Sequence, residues 1–373
     1  MRHTAPGSIA FLRLSVAFLV CGCGPAGVGG GGAIPAEPLS LTDLVSHFDE
    51  SVGQAPEIFT SEVPLRVVLA ADLDQLGEDR SPESKERPGQ FLILGRDGEP
   101  VEIPVQVKTR GNFRLQRRIC FDPPLRLNFP ETTPLGTVLD GQDKLKLVTH
   151  CRDSDRYEQN LLEEYLVYRI YNQLTDMSFR AQLVDITYVD VNGGDDPVRR
   201  MGFLIEDEEA FAKRFEGMMV ETESANPRDF VLSQLSLMYL FQFMTGNVDW
   251  GTSTGHNVKI LMREGEYFPV PYDFDWTGFV NAPYAAPNPM TERFHGSVRT
   301  RLYWGACLPG TDFPELFRRF NESRTAIMEL VKNQAGLSES NRESAVGYLE
   351  EFFDIINDPR ESNRKIVDAC RKG

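Results

Sequence analysis

Three carboxylates and two side-chain amides lie close together within residues 246–276. The acids are Asp249, Asp273 and Asp275, and the amides are Asn247 and Asn257. Carboxylates are costly to bury unless they are paired, hydrogen-bonded or bound to metal, and the aromatic residues beside the last two acids indicate partial burial. Because carboxylate and amide oxygens suit Mg²⁺, we expect this segment to hold a divalent cation and a phosphate.

A second group of residues, earlier in the chain, could bind the phosphates. In the stretch "VKTRGNF", Gly111 permits close approach of the backbone and Arg110 supplies positive charge. The later predicted strand "KLKLV" carries Lys146, which could contact the same phosphates. The helix after this strand carries three glutamates that could orient the lysine: Glu158, Glu163 and Glu164. Glu158 is the preferred partner because it lies beside the apolar stripe of that helix.

The order of the acids along the chain fits phosphoryl transfer. That reaction needs a group to position the nucleophile, oxygen ligands for a metal, and cations for the phosphates. Asp249, Asn257 and Asp273 follow the order of the catalytic aspartate, metal-binding asparagine and metal-binding aspartate of protein kinases. Asp275 is a further candidate metal ligand.

The elements predicted around these residues are mainly strands at first and helices later. Period-two patterns predict mostly antiparallel sheet over residues 60–150, and helical patterns cover residues 154–174 and 226–246. A predicted hairpin follows the second helix, and the last part of the chain is mostly helical. This order predicts an α+β chain with a sheet-rich lobe at 40–215 and a helical lobe at 216–373.

Four segments within about residues 100–280 together resemble the spore-coat CotH kinase family. They are "VKTRGNFRLQRRICFDPPLRLNF", "NLLEEYLVYRIYNQL", "GNVDW…HNVKIL" and "FPVPYDFDW". The resemblance implies a protein-kinase-like two-lobed fold, with an antiparallel-sheet-rich N-lobe and a mainly helical C-lobe. It also implies transfer of the γ-phosphoryl group of ATP to a protein serine or threonine, or another hydroxyl, with Mg²⁺ or Mn²⁺. On this chain it gives Asp249 the catalytic role and makes Asp273 and Asn257 metal ligands.

Two other functions fit the same residues. An exported chain meets little ATP, so one alternative is a catalytically silent relative that acts as a binding module. The other is a metal-dependent phosphoester hydrolase that uses Asp249, Asp273 and Asp275. Such sites usually add histidines, and the chain has only 5.

The first residues are typical of an export signal. A basic start, an apolar run and small residues predict a signal peptide over residues 1–22. The stretch "VCGC" resembles a bacterial lipobox, which makes Cys23 the lipid-modified residue, and residues 23–39 read as a flexible Gly/Pro tether. We expect an exported protein held by its lipid at the bacterial cell envelope, in the periplasm or on the outer membrane.

The chain is strongly acidic, with a formal charge of −16, and removing residues 1–22 takes away two arginines and no acids, which gives −18. Such a surface repels nucleic acid and anionic lipid. The expected partners are therefore a nucleotide and a protein or small hydroxyl substrate, with membrane contact only through the N-terminal lipid.

Four cysteines follow the lipobox: Cys120, Cys151, Cys307 and Cys370. An even number in an exported chain predicts disulfides. The pairs 120–151 and 307–370 are preferred among the three connectivities, because the first two cysteines flank predicted neighbouring strands and the last two both lie late. Four buried free thiols are the alternative.

Overall fold

A computed structural model describes residues 57–129, 136–193, 196–221, 225–287 and 296–371. The strands are β1 (Leu65–Ala71), β2 (Arg87–Leu94), β3 (Pro100–Thr109), β4 (Leu125–Asn128), β5 (Lys144–Val148), β6 (Ala181–Asp190), β7 (Val198–Glu206), β8 (Met218–Val220), β9 (Val258–Arg263) and β10 (Glu266–Pro271). The helices are α1 (Leu73–Glu78), α2 (Asp155–Leu174), α3 (Glu208–Arg214), α4 (Leu232–Thr245), α5 (Phe313–Asn333), α6 (Glu339–Asn357) and α7 (Pro359–Ser362). The predicted signal peptide, Cys23 and the tether lie outside the described residues.

Seven of the described strands close into a barrel, in the order β1, β2, β3, β4, β5, β7, β6. Neighbouring strands run antiparallel, except that β1 and β6 run parallel, with Val67 opposite Ile186. Apolar side chains of every barrel strand, such as Leu69, Phe91 and Leu147, fill the interior. Because β6 pairs with β1, every strand of the barrel has two neighbours and the barrel has no free edge.

The outer face of β3, β4 and β5 carries a row of basic side chains. Leu127 and Leu145 lie opposite each other and are buried in the barrel core. Successive residues of a strand point to opposite faces, so their neighbours point outward. Lys108 pairs with Arg126, and Arg126 pairs with Lys146. Three cations therefore lie side by side outside the barrel.

The predicted two-lobed, protein-kinase-like fold is wrong, although the α+β class is retained. The sheet predicted for an N-lobe closes on itself, because β6 returns to pair with β1. The region predicted as a helical C-lobe also contains, among the described residues, a three-stranded sheet in the order β10, β9, β8. Hydrophobic periodicity identifies strands, but it does not say which strand a later one will pair with.

Helix α4 is buried along nearly its whole length and ends where the candidate site begins. Its C-cap is Gly246, which adopts a left-handed conformation with φ of 67°. A side chain at this position would collide with the hydroxyl of Tyr348 and approach the backbone of Gly278. Glycine is therefore required for the chain to turn sharply from α4 into the acid-rich segment.

The described residues contain two disulfides, Cys120–Cys151 and Cys307–Cys370, which confirms the preferred pairing. The first joins the loop between β3 and β4 to the segment after β5. The second joins the chain before α5 to the chain after the last helical turn. Disulfides persist in oxidising compartments, so they indicate an extracytoplasmic setting. Within the described ranges, every helix is too short or too polar to cross a membrane.

Candidate active site

A buried arginine with carboxylates around it forms the inner side of the candidate site. This inner cluster consists of Arg114, Glu164, Asp273 and Asp275. Only 9% of the Arg114 side chain is exposed, and its Nη1 lies 3.2 Å from Oε2 of Glu164. Its Nη2 lies 3.2 Å from Oδ1 of Asp273, and its Nε lies 3.5 Å from Oδ2 of Asp275. One guanidinium therefore holds carboxylates from α2 and from the segment after β10 together.

Within the inner cluster, the carboxylates outnumber the guanidinium. Burial raises the pKa of Asp275 well above its ordinary range, Arg114 opposes this shift, and the charge of Asp273 adds to it. Burial also raises the pKa of Glu164. The hydroxyl of Tyr284 donates to Oδ2 of Asp275 at 3.0 Å. A further cation near this cluster would relieve the repulsion between the carboxylates.

Asp273 forms the boundary between the inner cluster and the open part of the site. Its side chain is 39% exposed, and its backbone has a left-handed φ of 62°. The backbone N–H of Asp273 donates to the hydroxyl of Tyr168 on α2 at 3.0 Å. Asparagine and aspartate tolerate this conformation better than most residues, and it often occurs at functional sites. Asn257 shares it, with φ of 52°.

The outer pair, Asp249 and His256, lies in the loop between α4 and β9. Nε2 of His256 lies 3.0 Å from Oδ1 of Asp249, and their side chains are 56% and 28% exposed. Nδ2 of Asn257 donates to the backbone oxygen of Asp249 at 2.8 Å and to its Oδ2 at 3.1 Å. The backbone N–H of Asp249 donates to Oδ1 of Asn247 at 2.9 Å. Both predicted amides therefore position Asp249.

The charge of Asp273, a member of the inner cluster, also acts on the outer pair. The pKa of His256 is raised by its hydrogen bond to Asp249 and, more weakly, by the negative charges of Asp249 and Asp273. Both aspartates therefore act on one imidazole. That Asp249 and Asp273 share one site stays a prediction. His256 could be read from the sequence as a ligand or a base, although a loop histidine is usually neither, and its contact with Asp249 follows from the loop returning so that Gly251 pairs with His256.

Lys146 lies beside this site but has a different partner from the one predicted. Its Nζ lies 2.7 Å from Oε1 of Glu208, the first residue of α3, and Nζ of Lys259 lies 3.2 Å from Oε2 of the same glutamate. Glu158 instead accepts a hydrogen bond from the backbone N–H of Met201. The expected pair fails because α2 directs Glu158 to β7, whereas β7 leads into α3 and brings Glu208 to the lysine.

Arg110 connects the lysine with the acids electrostatically. Burial lowers the pKa of Lys146, and the charge of Arg110 lowers it further, while Glu208 opposes both. Burial lowers the pKa of Arg110, and Asp273 opposes that shift. Gly111 follows with φ of 88° at a position open to solvent, where a side chain would meet no atom within 4 Å. The predicted role of Gly111 thus rests on backbone conformation rather than on close packing.

The predicted metal ligands divide between the two parts of the site. Asp275 is already engaged by Arg114 and Tyr284, whereas Asp273 and Asn257 lie toward the outer pair. Among the described residues, no group of three or more histidine, cysteine, aspartate or glutamate side chains is arranged to hold a metal ion.

Two members of the site were only partly anticipated from the sequence. Arg114 belongs to a run of basic residues, together with Arg117 and Arg118, that reads as a solvated face. Glu164 was predicted as one of three possible partners of Lys146, and the sequence did not pair it with Arg114. The signal that could have found this pair is an arginine just after an R-G-N turn and a carboxylate amid the apolar residues of α2.

Comparison with known proteins adds no relative: the chain matches no protein-family model and has no significant match among curated protein sequences. The site is therefore interpreted from its own geometry.

Proposed function

We propose that the chain is a CotH-like phosphotransferase that moves the γ-phosphoryl group of ATP to a hydroxyl with a divalent metal, Mg²⁺ or Mn²⁺. The acceptor would be a protein serine or threonine, or a small molecule. The observation that carries this proposal is that the partly exposed carboxylate of Asp249 is held by His256 at 3.0 Å and by Asn257 at 3.1 Å, while the neighbouring predicted ligand Asp273 keeps a carboxylate that is 39% exposed. The proposal depends on the site and not on a kinase-like fold, which the chain lacks.

A basic surface beside an acidic site supports the binding of phosphates. Lys108 and Arg126 lie on the outer face of the barrel beside Lys146, whose side chain is 9% exposed and pairs with Glu208, in a chain whose formal charge is −16. Arg110 follows directly after β3. A nucleotide's phosphates would be attracted to such a local group of cations despite the acidic surface elsewhere. Arg110 and Lys146 are the residues we assign to the phosphates.

Asp249 is suited to act on the acceptor hydroxyl. Its carboxylate is partly exposed and is held from two sides by His256 and Asn257. In the proposed reaction Asp249 accepts the proton of the acceptor hydroxyl, whose oxygen bonds to the γ-phosphorus. The bond between that phosphorus and the β–γ bridging oxygen breaks, and ADP leaves. His256 positions Asp249 in this scheme and does not contact the phosphorus.

The available oxygen atoms fit a divalent cation that is shared with phosphate. Asp273 offers a half-exposed carboxylate, and Asn257 uses its Nδ2 for Asp249, which leaves its Oδ1 as the atom that could face a cation. Mg²⁺ commonly takes one or two carboxylates and completes its shell with water and phosphate oxygens. When bound, the cation would neutralise charge on the phosphates. Asp275 serves instead to hold Arg114.

A nucleotide-dependent thermal shift tests the proposal. The wild-type protein should melt at a higher temperature with millimolar ATP and Mg²⁺ than with either alone, because ligands that bind the native state stabilise it. Asp273→Asn should abolish the shift. Asp354→Asn, on the exposed side of α6, is the matched control and should keep it. Incorporation of γ-phosphate into a generic acceptor protein would then measure transfer itself.

Each rival function predicts a different result. A silent binding module would show no ATP shift and no transfer in the wild-type protein. A phosphoester hydrolase would release phosphate from p-nitrophenyl phosphate without ATP, and Asp249→Asn would stop that release. Transfer to an acceptor that is lost in both Asp249→Asn and Asp273→Asn would exclude both rivals.

We further propose that the protein is anchored to the cell envelope by a lipid on Cys23. The disulfides support export, and the resemblance of "VCGC" to a lipobox supports the anchor. Mass spectrometry of the N-terminal peptide of the processed protein would detect the acyl groups. Recovery of the unmodified Cys23 peptide from membranes would contradict the anchor.

A further inference from the structure

A pocket of about 360 Å³ opens at one end of the barrel, where β5 and β6 end and β4 and β7 begin. Small-molecule sites commonly measure about 300–1,000 Å³. The residues that line it include no member of the inner cluster or the outer pair. We refer to it as the barrel-end pocket. It lies across the β3–β4 loop from the candidate active site and needs a separate explanation.

Two buried polar side chains line this pocket without a complete set of partners. Tyr188 is 8% exposed and His150 is 5% exposed. Their rings lie 6.0 Å apart. Neither Oη of Tyr188 nor Nδ1 of His150 has a hydrogen-bond partner in the part of the chain that the structure describes. Buried polar atoms without a partner are uncommon in native proteins, and a ligand is one reason for them.

Both atoms can accept a hydrogen bond from a ligand. Nε2 of His150 lies 3.3 Å from Oδ2 of Asp122, so the tautomer that carries its proton on Nε2 directs that proton to the carboxylate and leaves Nδ1 as an acceptor. Burial and the charge of Asp122 raise the pKa of Tyr188, so its hydroxyl stays protonated and its oxygen still has lone pairs. The two atoms therefore offer two acceptors to a ligand that donates hydrogen bonds, and the hydroxyl of Tyr188 keeps a donor of its own.

The charge of the pocket wall favours a cation. Its described lining contains six carboxylates: Asp74, Glu78, Asp122, Asp153, Asp190 and Asp196. It contains two arginines, of which Arg117 pairs with Glu78 and Arg80 donates to the backbone oxygens of Cys120 and Phe121. Carboxylates therefore outnumber guanidinium groups, although Glu78 pairs with Arg117 and Asp153 pairs with Arg200. An anion would be repelled, and a cation would be attracted.

The remaining wall is apolar, so the ligand should have a hydrocarbon part as well as a charge. The apolar side chains that line it are Leu73, Leu76, Leu125, Val198 and Phe121. We propose that the barrel-end pocket binds a small organic ammonium ion, that is, a protonated amine on an apolar body. An ammonium group has donors and no acceptor, which matches Nδ1 of His150, Oη of Tyr188 and the carboxylate of Asp122. This inference does not depend on the proposed phosphotransfer.

Calorimetric titration of the protein with hexylamine at pH 7 tests the proposal, with 1-hexanol and hexanoate as neutral and anionic probes of equal length. Hexylamine should bind saturably and the other two should not. Tyr188→Phe keeps the ring and removes the accepting oxygen, so it should raise the Kd about tenfold, as expected for a hydrogen bond to a charged group. Because that oxygen has no partner within the described protein, the variant should fold normally.

Two further measurements control the result. Tyr267→Phe, at an exposed position on β10, should leave the Kd unchanged, and Asp122→Asn should weaken hexylamine at least as much as Tyr188→Phe. Titration with Nα-acetyl-lysine methylamide distinguishes the source of the amine, since tighter binding than hexylamine would indicate a lysine side chain and weaker binding a free amine. Absence of saturable binding of hexylamine, or equal binding of hexanol or hexanoate, would overturn the proposal.

Discussion

The inner cluster and the outer pair contain the same kinds of charged groups in opposite surroundings. Arg114, Glu164 and Asp275 are almost wholly buried, and each of them has a charged partner in the protein. Asp249 and His256 are partly exposed and hold each other at the surface of the same site. Asp273 belongs to both, since Arg114 contacts it and its charge reaches His256.

From this difference we expect burial to separate the charges that hold the structure together from those that remain open to a ligand. Buried charges must be neutralised by the protein itself, because removing either partner leaves an ion without solvent. Exposed pairs contribute little to stability, so their side chains remain available to a ligand. We therefore expect substitutions in the inner cluster to lower stability and substitutions in the outer pair to alter ligand binding.

The largest effect on stability is expected for Arg114→Met. Glu164 and Asp275 would stay buried without their cation, which should lower the free energy of unfolding at pH 7 by about 3–5 kcal/mol. Urea unfolding measures the change, and the loss should shrink at acid pH as the carboxylates become protonated. Arg117→Met removes an exposed ion pair with Glu78 and should cost less than about 1 kcal/mol. If both variants lose the same unfolding free energy, burial of the ion pair does not determine the size of the loss.

The next largest effect concerns the disulfide that holds the loop of Arg114. Replacing Cys120 and Cys151 by alanine should lower the free energy of unfolding by about 2–4 kcal/mol, since it removes a constraint on the unfolded chain. It should also weaken the ATP-dependent thermal shift, because the loop that carries Arg110 and Arg114 loses its anchor. The Cys307/Cys370 double variant should lose comparable stability and keep the shift. Loss of the shift in both variants would contradict a local role for the first disulfide.

Asp249→Asn should have a small effect on stability and a large one on function. The expected loss of unfolding free energy is within about 1 kcal/mol, because the pair with His256 is exposed. Phosphate transfer should fall by at least about 100-fold if Asp249 accepts the proton of the hydroxyl. Chemical unfolding and a transfer assay on the same preparation separate the two effects. A loss of stability as large as that of Arg114→Met would abolish the distinction between the two regions.

The smallest effect should appear as a pH dependence in the outer pair. Asp249 raises the pKa of His256 in the folded state, so the contribution of this pair is fully present below the unfolded pKa, about 6.5. It is lost as the pH rises through the higher folded pKa. The melting temperature of the wild type should therefore fall slightly relative to that of His256→Asn across this range. If the melting temperatures of the two proteins change in the same way with pH, the pair is not coupled to folding.

Local features of the fold were predictable because they depend on nearby residues. The helix predicted over 154–174 is observed as Asp155–Leu174, and the hairpin predicted after the second helix is observed as β9 and β10. Disulfide pairing was also correct. Barrel closure was not predictable, because the parallel pairing of β1 with β6 joins strands more than a hundred residues apart and leaves no mark in their periodicity.

The acids of the candidate site were selected from the sequence, and their role stays a prediction, whereas the contacts of their neighbours could be compared with the structure. Asp249 and Asp273 could be selected because carboxylates beside aromatics and asparagines are rarely without a role. The partner of Lys146 could not be selected from the sequence. Glu158 and Glu208 both belong to predicted helices, and only the path of β7 into α3 shows that Glu208 reaches the lysine. The burial of Arg114 could not be predicted either, because its own loop, α2 and the segment after β10 are far apart in sequence and meet at its guanidinium only in the folded chain.

The disulfide between Cys307 and Cys370 has a consequence for the chain after proteolysis. It encloses both α5 and α6, with the turn of residues 334–338 between them. A protease that cuts this turn would produce two fragments that stay covalently linked. The nicked protein should migrate as one species on a non-reducing gel and separate into two only after a thiol reductant is added.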